Sequence, residues 1–411
     1  MFNRANPHDL PRWAWQAADA VAIGGLIYVV VYYLTDLHFD GLFTVVDRQS
    51  DFRQWYNFPP VIAQHLQYPS VVWNNWRLPF PYLPSAVVLF LPLSALPVTV
   101  AFVLWLVLQA TSLFVVLWAG LKLSGAAQFR GRLLIALGAV LMADNPLGWD
   151  FRTHNNNVIY LALIMLGMTT SRKWLSGLLF GISCNLKIYS GFLIFCFIWR
   201  REYRLAISMI IAASLIAVVL PITVFGFYGY VQLLQGWIGQ ALYNPPVGQP
   251  AVLPANLLRL SVAFLLDAEP TSLNVTILLR ISQAVWVVLV IGYFMLATRP
   301  TSASSDSQSR LSDVCVVLLA PLPFSIWFTP YHAIVLLPAY MLLLTVAVSK
   351  DWDLWTRRVA ATALVGCQIL QYSISLWELR GARSLISFTL ILLALCVVRS
   401  KRRNARVLMP I

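Results

Sequence analysis

The sequence predicts an all-α, polytopic transmembrane helical bundle, and three observations predict it. Of the 411 residues, 59% are apolar and only 11% are charged, against about 25% charged in soluble domains. Apolar runs of roughly 20 residues, the length a bilayer crossing needs, recur along the chain with short loops between most of them. The net charge of +13 is gathered in short Lys/Arg clusters between those runs, the pattern of cytoplasmic loops. Mean hydropathy is +0.73. This composition excludes a soluble enzyme, a disordered chain and a nucleic-acid-binding domain.

The first run, Trp13 to Leu34, follows Arg4 and Arg12. It is longer than a signal-peptide core and has no small-residue cleavage site, so it reads as an uncleaved first span. Further long spans are expected at 98–121, 132–145, 155–171, 204–227, 278–298, 312–328, 331–348, 359–377 and 384–398, about ten in all. Residues 83–96 are apolar but carry Pro84 and Pro92. They would reach only ~21 Å of a core ~30 Å thick, so a re-entrant or interfacial helix is expected. Residues 174–199 are flanked by Arg172-Lys173 and Arg200-Arg201. With both ends on one side, they form a hairpin of two short helices with Lys187 at its apex. That gives twelve helices besides the re-entrant one.

The basic tail from Arg399 to Arg406 predicts a cytoplasmic C-terminus, and the span count puts the N-terminus on the same side, as in a plasma-membrane protein. Lys122 with Arg130 and Arg132, Arg299 to the Ser-rich stretch ending at Arg310, and Arg357-Arg358 fall on that face too. The opposite, extracytoplasmic face takes 35–82 with Asp36, Asp40, Asp47 and Asp51, then 144–157, then a long segment with Pro245, Pro246, Pro250 and Pro254. The chain reads as a single integral membrane domain, 1–411, roofed by outer loops 35–82 and 228–277. Cys184, Cys196, Cys315, Cys367 and Cys396 all lie in apolar stretches without a CxxC, so neither a disulfide framework nor a zinc site is expected. No internal repeat is visible, which counts against inverted-repeat transporters.

Two residues stand out chemically. Asp51 lies in Asp47-Arg48-Gln49-Ser50-Asp51-Phe52-Arg53-Gln54-Trp55-Tyr56, just after the first span. A carboxylate at a water-facing mouth can act as a general base; it can also be a solvated loop acid or pair with Arg53. Asp47 and Asp40 are secondary candidates. Lys187 sits in an otherwise apolar stretch, where a charge costs ~2.5–3.5 kcal/mol on insertion scales. Such a lysine faces a polar cavity, snorkels, or finds a buried carboxylate. No Asp or Glu lies between Asp150 and Glu202 to serve as a local partner.

The order of these features resembles the GT-C membrane glycosyltransferases, and most closely glycosyltransferase family 87, which includes polyprenol-phosphate-mannose-dependent mannosyltransferases. The features are the acidic-aromatic Asp51-Phe52…Tyr56, the Leu78-Pro79-Phe80-Pro81-Tyr82 stretch, and Pro92-Leu93…Leu96-Pro97 before a span with Trp105. Gly177 to Lys187 with Trp199-Arg200-Arg201 follows, then Trp327-Phe328-Thr329-Pro330-Tyr331-His332 with Leu336-Leu337-Pro338. The family's GQxN-type motif is replaced by His154-Asn155-Asn156-Asn157, where Asn157 alone matches cleanly.

The resemblance implies a GT-C-like fold and inverting transfer of a monosaccharide, mannose first, at the extracytoplasmic face. The donor would be a polyprenyl phosphate sugar and the acceptor a glycolipid or glycan. Asp51 would be the base. Lys187, Arg259 and His332 would bind the donor phosphate. Trp55, Tyr56, Asn157 and Tyr331 would contact sugar or acceptor, with Trp73, Arg152 and His154 as weaker candidates. The leaving group is already a good phosphate, so one carboxylate suffices, unlike the carboxylate pair of glycosidases. No cofactor is expected: no DxD lies in the first outer loop, and no His/Asp/Glu cluster has metal-ligand spacing. Expected partners are the lipid-linked donor, the acceptor and membrane lipids. A transporter or flippase of lipid-linked sugars would share the grooves and the intramembrane lysine but needs no such carboxylate. A non-catalytic subunit of an envelope-assembly complex is a third reading.

Overall fold

The computed structural model describes residues 12–35, 51–67, 70–73, 76–79, 82–241, 307–320, 330–373 and 380–407, with three isolated positions at 281, 285 and 292. The described chain is helical apart from one small antiparallel hairpin, β1 (Ser70–Trp73) with β2 (Trp76–Pro79). The helices are α1 (Arg12–Thr35), α2 (Asp51–His65), α3 (Pro84–Ser94), α4 (Val98–Leu123), α5 (Arg132–Met142), α6 (Asp144–Thr153), α7 (Asn157–Thr169) and α8 (Lys173–Leu186). They continue with α9 (Leu193–Trp199), α10 (Tyr203–Ser214), α11 (Leu220–Ala241), α12 (Ser307–Leu319), α13 (Leu336–Val348), α14 (Leu354–Ser373) and α15 (Arg380–Val407). Among the described residues, three helical stretches are long and apolar enough to cross a membrane: Trp13–Tyr33, Val98–Leu123 and Tyr203–Ile238. Most other segments marked as spans are helical but shorter, such as Asn157–Thr169 and Ala333–Val348. The span expected at 278–298 lies outside the described residues but for three positions.

Several boundaries differ from the sequence reading for local reasons. The run 132–145 is not one crossing: α5 stops at Met142 and α6 starts at Asp144. Pro146 accounts for the break, because its ring would collide with the carbonyl four residues back. The run 204–227 does not end in a loop. It continues through a π-turn at Leu215–Val219 and a bend at Gly226 (φ 71°, ψ 169°) to Ala241. That backbone conformation is open to glycine and closed to most other residues. The polar stretch ending at Arg310 is the first turn of α12 from Ser307 onward.

The decisive packing is between α8 and α10. Gly177 sits against Ser208, and Gly181 against Ala212. The Asn185 side chain reaches the Ala213 carbonyl at 3.2 Å. The contacts advance in the same direction on both helices, so α8 and α10 run parallel. The chain must therefore come back between them, and it turns where α8 ends at Lys187 in extended conformation (φ −145°, ψ 108°). A 3-10 turn, Ile188–Phe192, and α9 complete the return. The helix α3 has both ends at the Lys187 end of the bundle. Ser85 donates to Asn185 at 2.5 Å, and Ser94 donates to the Tyr56 carbonyl at 2.5 Å.

The other end of the bundle is closed by a buried ion network. Arg200 bonds Glu202 at 2.9 Å and also Asp313, which pairs with Arg399 at 2.9 Å, while Arg310 bonds Glu202 at 3.0 Å. Arg399 also donates to Ser309. Arg200 and Arg399 are therefore not simply solvated loop cations. Such networks cost much desolvation but fix partners, because removing one member strands a buried charge. Here they tie the α9–α10 turn, the start of α12 and the end of α15 together.

A Cβ at Gly181 would lie 2.7 Å from Ala212 Cβ and 2.8 Å from the Ala213 nitrogen. Gly181→Val should force α8 and α10 apart at a cost of roughly 1–3 kcal/mol. A fluorescence melt of the detergent-purified protein should show a clear drop in midpoint, and a melt equal to wild type would refute the close pairing.

Candidate active site

Four segments meet at the Lys187 end. The first is the start of α2. Asp51 is half-buried, and its Oδ1 accepts from Gln54 Nε2 at 3.1 Å. The neighbours on α2 pin the helix down: Phe52 packs on Phe102 and Trp105, and Trp55 on Tyr82 and Phe90. Trp55 is wholly buried, so it forms a wall that holds Tyr82. Tyr56 stacks on Phe52 and donates its hydroxyl to the Leu96 carbonyl at 2.8 Å.

The second segment is the turn after α6. His154 takes a left-handed conformation (φ 53°), one that histidine enters more readily than bulky residues do. Two side chains of α4 hold the turn: Trp105 Nε1 donates to the His154 carbonyl at 3.0 Å, and Gln109 Nε2 to the Asn155 carbonyl at 2.7 Å. The turn then delivers the Asn155 side-chain nitrogen to Asp51 Oδ2. The Asn155 Oδ1 accepts from its neighbour's backbone, Asn156 N, at 2.8 Å and from Asn157 Nδ2 at 2.8 Å. Asn157 Nδ2 also donates to Asp150 Oδ1 at 2.8 Å, and Val158 N to Asp150 Oδ2 at 3.2 Å.

The third segment is the α8–α9 turn. Lys187 is nearly buried. Its Nζ lies 3.4 Å from Tyr82 Oη and 5.2 Å from the centre of that ring. Its charge acts on both Asp51 and Asp150. Below it Tyr189 donates to Tyr160 at 2.7 Å, and Ser183 to Ser190 at 3.0 Å. The fourth segment, the 3-10 turn Pro330–Val335, packs on α6.

Burial sets the electrostatics. It pushes the Asp51 carboxyl above its usual range, opposed by the Asn155 donor and then by Lys187. It raises Asp150 to about 7 against the Asn157 and Val158 donors and the Lys187 charge. It lowers His154 to about 4, so that imidazole is neutral at ordinary pH. Among the described residues, both His154 ring nitrogens and both side-chain polar atoms of Asn156 are buried without a hydrogen-bond partner. Each such atom costs about 1–3 kcal/mol, an expense that native folds meet at only a few positions. No three His, Cys, Asp or Glu among the described residues converge in a metal-holding group.

Asp51 and Lys187, far apart in sequence, therefore lie within electrostatic reach of each other. Asn157 is fully buried and bonds Asp150 and Asn155, so it supports the turn from behind. Tyr331 and His332 lie on the 3-10 turn, but their side chains, like the whole of Arg259, Asp40, Asp47 and the 242–277 loop, fall outside the described residues. Trp73 lies on β1. Sequence reasoning missed Asn155, Asp150, Gln109 and Tyr82 as parts of the site. The signal for the first two was present as a polar run, Asp150 to Asn157, between two apolar helices.

The model of glycosyltransferase family 87 matches residues 80–322, more than half the chain. The chain belongs to that family. A polyprenol-phosphate-mannose-dependent alpha-(1-2)-phosphatidylinositol pentamannoside mannosyltransferase of Mycolicibacterium smegmatis is 31% identical over 114 residues, 28% of each chain. Its namesake from Mycobacterium tuberculosis is 28% identical over 146 residues, 35% of this chain and 34% of the relative. A polyprenol-phosphate-mannose-dependent alpha-(1-2)-phosphatidylinositol mannoside mannosyltransferase of the latter organism is 29% identical over 173 residues, 39% of this chain and 40% of the relative. The chain thus aligns with two fifths or less of the length of these curated relatives. No solved structure matches it.

Asp150 gives a signed pH test. An unfolded aspartate titrates near 3.9, so the fold holds this proton more tightly. That contribution to stability is complete below the unfolded value and is lost as pH rises through about 7. The melting midpoint of Asp150→Asn should fall less than that of wild type from about pH 5 to about pH 8. Equal slopes would contradict a proton held on Asp150.

Proposed function

We propose that this chain is an inverting, polyprenyl-phosphate-sugar-dependent hexosyltransferase that moves mannose onto a glycolipid of the phosphatidylinositol mannoside class. The observation that carries it is the placing of a carboxylate that accepts from a dedicated amide (Asp51) within electrostatic reach of a buried cation (Lys187). Family membership and the names of the mycobacterial relatives supply the substrate classes.

The chemistry follows from charge. The acceptor hydroxyl gives its proton to Asp51 as its oxygen attacks the anomeric carbon from the side opposite the phosphate. The new glycosidic C–O bond forms while the bond from anomeric carbon to phosphate oxygen breaks, so configuration inverts. Polyprenyl phosphate leaves as a monoester carrying one more negative charge. Lys187 gains a stronger interaction as that charge develops, which is the condition for accelerating the step. His332 and Arg259 would add to the phosphate site, and Tyr331 and Tyr56 to the sugar or acceptor side.

The proposed sidedness puts the Asp51 end at the extracytoplasmic face and the Arg200–Asp313–Arg399 end at the cytoplasmic face, where the basic tail also belongs. Both termini would then be cytoplasmic. The lipid tail of the donor would enter between helices from the bilayer. A carrier of lipid-linked sugars would have no use for a base whose ionised form is supported by a dedicated amide donor.

Protein reconstituted in nanodiscs with polyprenyl-phosphate mannose and a phosphatidylinositol mannoside should release polyprenyl phosphate. Asp51→Asn should slow this by about 10²–10⁴-fold, the usual worth of a general base, with an unchanged melt. A folded, fully active Asp51→Asn protein would remove Asp51 from the role, and binding of donor without turnover by wild type would favour a carrier.

A further inference from the structure

We propose that Asn155 is a positioning residue for the transfer reaction: its amide holds Asp51 as the carboxylate, and it can face Asp51 only with its NH2 group. This deepens the proposed function and rests on it.

The argument is one of donors and acceptors. A backbone N–H can only donate. Asn156 N therefore identifies the Asn155 atom 2.8 Å away as the carbonyl oxygen. Asn157 Nδ2 donates to the same oxygen and to Asp150 Oδ1. With the oxygen so fixed, the nitrogen must point at Asp51 Oδ2. Gln109 and Trp105 lock the backbone of the same turn. Asp150 thus acts on the reaction at two removes, as the buttress of a turn built around one amide.

An N–H aimed at a carboxylate favours its charged form. That matters because burial disfavours the charge on Asp51. Asn155 and then Lys187 oppose burial there, and Gln54 donates to the other carboxylate oxygen. The other titratable groups around this end are Asp150 and His154 flanking the same turn, Tyr82 beside Lys187, and Arg53 on Asp51's own helix. Tyr331 and His332 lie on the 3-10 turn that packs on α6. At Asp51 Oδ2 the donor is the Asn155 amide.

The test is the pH dependence of transfer by the full-length protein in nanodiscs, with polyprenyl-phosphate mannose and a phosphatidylinositol mannoside. A wild-type protein that turns over establishes the reaction independently of this inference. In Asn155→Ala, the acid limb of the kcat profile should move up by about 1–2 pH units, the worth of a hydrogen bond to a charged group. Activity lost at neutral pH should return in part at alkaline pH, while the donor KM changes by less than about threefold. Asn155→Asp keeps the size of the side chain but sets two carboxylates face to face, so its acid limb should move further in the same direction. A uniform loss at every pH in both variants, or wild-type profiles in both, would overturn the inference. If Asn155→Ala fails to fold, the direction of the shift in Asn155→Asp decides.

Discussion

The parallel, glycine-mediated pairing of α8 with α10 is the constraint on which the site depends. Gly177 and Gly181 let the two backbones approach so closely that a Cβ on either would meet main-chain atoms. Once those helices run the same way, the segment between them has to double back. The turn then falls at Lys187, whose main chain is extended where a continuous crossing would have kept it helical. A lysine in mid-helix would be surrounded by its own apolar neighbours. At the turn it instead meets Tyr82 from the first loop and the fields of Asp51 and Asp150.

The region around Asp51 and Lys187 is asymmetric in its bonding. Its back wall is tied by hydrogen bonds, from Gln109 and Trp105 through the 154–157 turn to Asp150. Its aromatic side, Phe52, Trp55, Tyr82, Phe90 and Trp105, is interlocked. Against this rigid frame, His154 and Asn156 keep buried polar atoms without partners among the described residues. Rigid walls with a few unsatisfied polar groups are the arrangement expected where a ligand must be oriented to within a fraction of an ångström. The opposite end of the bundle, by contrast, pairs Asp313 and Glu202 with arginines.

Much of this was legible in the sequence, and for identifiable reasons. The helical class follows from apolar runs in a chain with few charges, and Asp51 and Lys187 each violate the local pattern strongly enough to be noticed. The cost of an unpartnered lysine in an apolar run is visible without coordinates. Its company is not: Asp51 and Asp150 come from distant elements, and no local spacing could reveal them. Asn155 was hidden for a different reason. Three consecutive asparagines look interchangeable, and only the direction of the Asn156 backbone N–H separates the one that faces Asp51 from the one that supports it. The run 132–145 misled because hydropathy does not register Pro146 as a stop. Arg200 and Arg399 looked like loop charges because Asp313, their shared partner, lies more than a hundred residues from one and more than eighty from the other.

The central claim is that Asp51 and Lys187 flank a single bound donor. A structure of the protein with a phosphonate analogue of polyprenyl-phosphate mannose tests it most directly. The account predicts phosphonate oxygens at hydrogen-bonding distance, about 3 Å, from Lys187 Nζ, with Asp51 on the other side of the anomeric carbon and room for one hydroxyl between. A phosphonate held elsewhere, or an anomeric carbon walled off from Asp51, would contradict it.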